Sequence, residues 1–324
     1  MTPTDANFGE FGGEWSDVKL EAVKEYFAAY NTALSQTSFT RIYIDGFAGG
    51  GRVKAPKTAK EAPALEKDLF AQPANDSCES ESTSEEVERE VEQFRHGSPL
   101  LALKAYPGFH RFIFIEQNAE VISELKRQVA EVGTSNGRPI EFICQDANLA
   151  LADICGRDWK SQRATLFLDP FALHVHWETL AKIAQTEAMD MWMLFPAMAV
   201  NRMMPRSGVV PDAWAKRLDE TFGDSSWRLA FYAPPEPPLI QDMFPDTVPE
   251  PKAAKVSDPF RRLSEYVTAR LKTIFAEVVD EPLILKTSSG SPLFLLCFAV
   301  ANKRGGPIAK RIAKHIINKQ RHGH

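Results

Sequence analysis

Cysteine is scarce in this chain, with 4 in 324 residues. Cys78, Cys144, Cys155 and Cys297 stand far apart and form no C-x-x-C pair, which argues against a disulfide framework and against a zinc knuckle. Apart from Cys78, which sits in a polar stretch, they are expected in the core. Long apolar runs are lacking too. The longest, Leu293 to Ala301 and Met191 to Val200, the latter interrupted by Pro196, fall short of the roughly 18 residues a membrane-spanning helix requires. Met1-Thr-Pro-Thr-Asp-Ala-Asn-Phe has neither the basic start nor the apolar stretch of a secretory signal, so a cytoplasmic location is expected. No internal repeat is visible.

What is present is an ordinary globular composition, 44% hydrophobic and 25% charged, with a formal charge of −5 that is unevenly distributed. Seven Lys and Arg and no acid occur from Lys303 to His324, which leaves 31 basic residues against all 43 acidic ones upstream. Two stretches offer little to bury. Asp76 to Glu92 holds eight acids and one Arg among serines and reads as a surface excursion. Pro234 to Pro259 carries eight prolines, which exclude both helix interior and strand ladder.

Elsewhere short β-branched and aromatic runs alternate with helical patterns. Arg41–Asp45, Arg111–Glu116, Ile140–Gln145, Thr165–Asp169 and Met191–Pro196 read as buried strands, with amphipathic stretches at Ala119–Val132 and Trp177–Thr186 between them. That alternation predicts a mostly parallel sheet with right-handed crossovers. Near the end, Leu283–Lys286 and Leu293–Val300 flank Ser-Ser-Gly-Ser-Pro and predict an antiparallel hairpin closing the sheet. The expected division is a helical segment at 1–40, an α/β domain at 41–302 with insertions at 52–96 and 202–260, and a basic helix and tail at 303–324.

The most informative run is Tyr43-Ile-Asp-Gly-Phe-Ala-Gly-Gly-Gly-Arg52, a strand that ends in an acid and enters a glycine turn. Glycines there allow positive φ and close approach of a ligand to the backbone. A nicotinamide fingerprint would read G-x-G-x-x-G with an acid about 20 residues on. Here the register is Asp45-x-Phe47-x-Gly49-x-Gly51, and the next strand-end acid, Glu116, lies 71 positions after Asp45. That spacing disfavours a nicotinamide oxidoreductase, as does the terminal hairpin.

D-x-F-x-G-x-G after a first strand resembles motif I of class I S-adenosylmethionine-dependent methyltransferases, particularly those that modify exocyclic amines of nucleobases. The resemblance implies that the glycine turn lies under the methionine part of the cofactor, that an acid after the second strand binds the ribose and that one after the third lies near the adenine. Glu116 and Asp146 stand at those places, and Asp169-Pro170-Phe171 is similar to the family's D-P-P-F/Y with one proline fewer. An exocyclic amine is a poor nucleophile because its lone pair is delocalised. A carboxylate and a carbonyl accepting its N–H bonds, with an aromatic face beneath the base, pull it toward tetrahedral geometry and in line with the methyl group. Asp169, the Pro170 carbonyl and Phe171 would have those roles.

Trp15-x-x-x-Lys19, the glycine turn, Gly97-Ser-Pro-Leu-Leu-Ala-Leu103, Phe114-Ile-Glu116, Asp169-Pro-Phe-Ala172 with Trp177, and Leu194-Phe-Pro196 together resemble the three-Cys-motif partner family, TcmP, from about residue 15 to about 315. This family resemblance implies a Rossmann-like class I methyltransferase fold, S-adenosylmethionine as cofactor and a neighbouring bacterial or phage gene for a protein with three clustered cysteines. It also points to ribosomal-RNA adenine methyltransferases, which share the Gly-Ser-Pro step. By that resemblance Lys19, Asp45, Gly46, Phe47, Ala48, Gly49, Gly51, Ser98, Glu116 and Asp146 bind cofactor, and an RNA or DNA base is the acceptor.

Blander readings compete at each residue. Asp169 is a good helix cap before Pro-x-x, and Glu116 and Asp146 are ordinary strand-end acids. His174-x-His176 places two imidazoles on one side but lacks a third ligand, so those residues are expected to flank the pocket mouth and no metal is expected. Ile308, Ile312 and Ile316 predict a packed C-terminal helix; for a nucleic-acid substrate, Lys310, Arg311 and Lys314 would lie on the side of Asp169. The alternative to an enzyme is an inactive methyltransferase-like subunit that docks to or senses the three-Cys protein.

Overall fold

Strand periodicity sorts this chain's apolar side chains into two chemically different layers. The computed structural model describes residues 14–50, 97–133, 137–170, 172–232, 255–287 and 290–322, with side chains from Val18 onward. The first half contains α1 (Glu14–Ala33), β1 (Thr40–Asp45), α2 (Ser98–Lys104), β2 (Arg111–Ile115), α3 (Ala119–Val132), β3 (Ile140–Ile143), α4 (Ala147–Cys155) and β4 (Gln162–Leu168). Then follow α5 (Trp177–Gln185), β5 (Met189–Phe195), α6 (Ala197–Arg202), α7 (Asp212–Phe222), α8 (Trp227–Phe231), α9 (Pro259–Lys272), β6 (Glu277–Val278), β7 (Leu283–Lys286), β8 (Pro292–Val300) and α10 (Gly306–His322). The acidic excursion lies outside the described residues, as does most of the proline-rich stretch, whose last member, Pro259, opens α9 behind an Asp258 cap.

The sheet runs β3-β2-β1-β4-β5-β8, and both β6 and β7 pair with the far edge of β8. β1 to β5 are parallel and β8 is antiparallel to β5. This is the expected α/β fold, a mostly parallel sheet closed by a C-terminal antiparallel pair in the strand order of class I methyltransferases. The order reverses direction at β1, whose neighbours are β2 and β4, and in open α/β sheets ligands bind outside the carboxyl ends of the strands at such a point.

Alternate residues along each strand point to opposite faces. Tyr43, Phe112, Phe114, Phe167, Trp192 and Phe298 belong to one core cluster, beneath α1, α2 and α10. Ile42, Ile44, Ile113, Leu166, Leu168, Met191 and Met193 belong to the other, beneath α4, α5 and α9. The first face is therefore a lattice of rings, with Tyr26 edge-on to Trp192 at 5.5 Å and Phe27 edge-on to Tyr43 at 4.9 Å. The second is aliphatic and methionine-rich.

α1 lies along the ring face with Lys19, Ala22, Val23, Tyr26, Phe27 and Tyr30 buried. Two polar contacts tie it to the sheet, Lys19 to Asp169 beyond β4 and Tyr26 to Asp190 at the start of β5. Beyond its last turn, the buried Arg41 guanidinium donates to Asn31 and to the Leu34 carbonyl.

Three expectations need correction. Cys144 is exposed, whereas Cys297 is buried and Cys155 intermediate, because Cys144 follows the last residue of the edge strand β3 and its neighbours no longer cover it. Cys78 lies outside the described residues. On α10 the buried stripe is Ala309, Ala313, Ile316 and Ile317; Ile308 is 53% exposed, since the small alanines let the helix approach the sheet and turn Ile308 outward. Finally, β8 runs toward the amino ends of the parallel strands, so α10 begins there. Val300 is in register with Asp190 and with Glu277, and Lys310 is spent on Glu277 and Asp280 at 3.2 and 3.5 Å. Lys310 thus sits at the end of the sheet opposite Asp169.

Candidate active site

Four acids stand just beyond or at the carboxyl ends of four adjacent strands: Asp146 after β3, Glu116 after β2, Asp45 at the end of β1 and Asp169 after β4. Period-two alternation places Asp45 on the ring face with Tyr43, and Asp169 on that face with Phe167. Asp45 is completely buried. Its Oδ2 accepts the Tyr43 hydroxyl at 2.8 Å and the Ser98 hydroxyl at 2.7 Å, and its Oδ1 accepts the Phe47 N–H at 3.2 Å. Burial pushes the carboxyl up to about 6, against the Ser98, Tyr43 and Phe47 hydrogen bonds that favour its charge; nearby Asp169 also pushes upward.

Lys19 reaches across the same face. Its ammonium, on a side chain 2% exposed, lies 2.6 Å from Asp169 Oδ2, on a side chain 17% exposed, and 5.6 Å from the centroid of the Phe167 ring. Lys19 was expected at the cofactor; here it is bonded to the acid of the acceptor motif. Ser98, at the start of α2 behind Gly97 at φ 127°, is buried with its hydroxyl on Asp45.

The glycine turn itself is shaped by contacts. A Cβ on Gly46 would stand 2.6 Å from a Leu168 methyl, so the position has no room for a side chain unless Leu168 moves. Gly49 has φ 59°, in the left-handed region. The Gly46 N–H donates to the Phe167 carbonyl and the Ala48 N–H to the Ile115 carbonyl, which pins the turn between β4 and β2. Glu116 Oε2 accepts the Gly49 N–H at 3.2 Å and its Oε1 the Asn118 N–H at 2.9 Å, so this acid faces the turn. Asp146 caps α4 through Asn148 and Leu149. Beside it Leu149 presents a side chain that leaves the residue 59% exposed.

Asn148, which sequence reading passed over, holds the segment after Asp169. Its Nδ2 donates to the His174 carbonyl at 2.7 Å, while its Oδ1 accepts the His176 N–H at 3.0 Å and the Thr179 hydroxyl at 2.8 Å. The only signal in the sequence was its place two residues after a strand-end acid. Asn148→Ala leaves three polar groups without these partners, and a loss of about 2 kcal/mol is expected in denaturant unfolding.

Pro170 is buried and faces away from Asp169 toward the aliphatic side. There it lines a cavity of about 20 Å³ with Trp177, Phe195, Pro196, Phe222 and Leu271, room for a single water. Phe171 and Gly51 lie outside the described residues. Among the described residues no three His, Cys, Asp or Glu side chains converge as a metal site would need. No described helix is long and apolar enough to cross a membrane.

No family model matches the chain, and no curated protein matches it significantly. Solved structures do show likeness. The Legionella pneumophila protein LPL1258, described by the family model DUF519, is 12% identical, with 95% of this chain and 93% of that chain covered and a TM-score of 0.44. The N-terminal domain of EvdMO1, crystallised in the presence of SAH and D-fucose, is 12% identical, with coverage of 88% and 83% and a TM-score of 0.37. YcgJ from Bacillus subtilis is 10% identical, with coverage of 85% and 95% and a TM-score of 0.28. Likeness of this extent carries no chemistry, which rests on the residues described above.

Proposed function

We propose that this chain is an S-adenosylmethionine-dependent methyltransferase acting on an exocyclic amine of a nucleobase in RNA or DNA. The observation that carries the reading is the convergence, at the β1–β4 switch point, of the glycine turn with Asp45 and of Asp169 with Lys19. The residues present fit the cofactor. Asp45 is a buried carboxylate facing only neutral donors, Gly49 adopts positive φ, and Glu116 and Asp146 offer acceptors to hydroxyl and amino groups.

The cofactor supplies an electrophilic methyl group on a sulfonium. This chain's residues do the rest. The glycine turn, Asp45, Glu116 and Asp146 hold the nucleoside and its methionine part. Lys19 occupies Oδ2 of Asp169, and no other described residue hydrogen-bonds that carboxylate, so Oδ1 is available to accept an amine N–H. The same pairing fixes the carboxylate's orientation before the acceptor arrives, which is where preorganisation helps. Asn148 fixes the course of the chain beyond it. A partner with three clustered cysteines belongs to this proposal through the family resemblance alone.

The test is transfer of labelled methyl from S-adenosylmethionine to total nucleic acid, with Asp169→Ala as control. Incorporation that depends on Asp169 is expected. Calorimetric titration giving neither heat nor a thermal shift with the cofactor would leave the docking-subunit alternative in its place.

A further inference from the structure

The charges that meet at the switch point do not cancel. Asp45 and Asp169 are two acids on adjacent strands, and Lys19 is one cation held 2.6 Å from the second. The groups facing Asp45 are the Tyr43 hydroxyl from its own strand, the Ser98 hydroxyl from α2 and the Phe47 N–H, all neutral donors, with Asp169 beyond β4 adding a second negative charge. Lys19, from α1, is the sole cation that pairs with either acid among the described residues. A buried set of this kind carries a residual charge of −1 with both acids ionised, inside a region where water screens weakly.

Resting on the cofactor reading above, we propose that Lys19, Asp45 and Asp169 form a charge set that makes the crevice select the cationic methyl donor over its neutral thioether product. S-Adenosylmethionine carries a sulfonium, an ammonium and a carboxylate and is +1; the product has lost the sulfonium charge and is neutral. The two ligands are otherwise alike, so contacts at Glu116 and Asp146 cancel in the ratio of their affinities, and what remains is the interaction of one positive charge with the set. Lys19 limits that preference because it opposes the sulfonium. The set thereby favours departure of the product after each transfer.

The experiment is calorimetric titration of the full chain with S-adenosylmethionine, S-adenosylhomocysteine and sinefungin, a cationic analogue that transfers no methyl. The measured quantity is the ratio of cation to product affinity. Lys19→Met is expected to raise it, and Asp45→Asn to lower it, each on the order of tenfold, with affinity for S-adenosylhomocysteine nearly unchanged. Should either variant fail to fold, the unmodified protein carries the test. Burial places the Asp45 carboxyl at about 6, so the ratio should fall as pH is lowered from 7.5 to 5 and Asp45 takes up a proton. Binding of all three ligands with a ratio that moves less than twofold in the variants and with pH overturns the inference and leaves the cofactor reading standing. Absence of binding by any of the three overturns both.

Discussion

Replacing Asp169 with asparagine is expected to lower methyl transfer by at least about a hundredfold, the scale lost when a positioned group that polarises the reacting atom is removed. The amide keeps the shape of the carboxylate but loses its negative charge, so it no longer offsets the positive charge that develops on the attacking nitrogen. A second effect accompanies the first. Lys19 is 2% exposed and would then stand beside an amide, so stability should fall by about 3 kcal/mol, as for other buried pairs broken from one side. The double variant Lys19→Met, Asp169→Leu separates the two effects. It removes both charges and should recover most of the lost stability while transfer stays at background. Recovery of transfer in the double variant would remove Asp169 from the chemistry.

The other large effect lies at the opposite end of α1. Asp190 sits at the start of β5 with its Oδ2 2.6 Å from the Tyr26 hydroxyl. Burial pushes its carboxyl up to about 7, outweighing the Tyr26 hydrogen bond and the Arg163 charge that act the other way. Because the folded value lies above the ordinary 3.8, its contribution to stability is full below that value and is lost as pH rises through about 7. Asp45 acts with the same sign about one unit lower. The carboxyls that salt bridges hold low, such as Glu141 and Asp280, stay ionised throughout this range and add no slope. Unfolding free energy should therefore decline between pH 5 and pH 8 by a few kcal/mol, on the order set by the linkage relation. Asp190→Asn should flatten the curve, being less stable than the parent at pH 5 and closer to it, or above it, at pH 8. Parallel curves for the two proteins would mean that Asp190 is uncharged in both.

Much of this arrangement could be read from residue order. The strand cores and α3 were legible because buried parallel strands are short, branched and aromatic, and because Val121, Ile122, Leu125 and Val129 recur at helical spacing. The terminal pair was legible from two apolar runs around a Ser-Gly-Pro turn. The four strand-end acids came from position alone. What periodicity did not reveal was partnership across the sheet. Lys19 and Tyr26 are seven residues apart on one helical stripe, which marks them as neighbours on a buried face, but nothing local says that the first meets Asp169, 150 residues on, and the second Asp190, 164 residues on. The orientation of α10 was also beyond reach. Its isoleucines defined a stripe, but the close approach of Ala309 and Ala313 decided which side went down.

The division of the sheet into a side of rings and a side of methionines and branched aliphatics has a consequence for how the protein can vary. Methionine and leucine exchange at small cost because they are flexible and similar in volume, whereas a ring held edge-on between two others has few substitutes. Neighbouring positions on one strand should therefore tolerate change very unequally. In β5, Met191 and Met193 would accept leucine or isoleucine readily, while Trp192 between them would accept almost nothing. A saturation library through this strand would show a comb of permissive and forbidden sites with a tooth at every second residue.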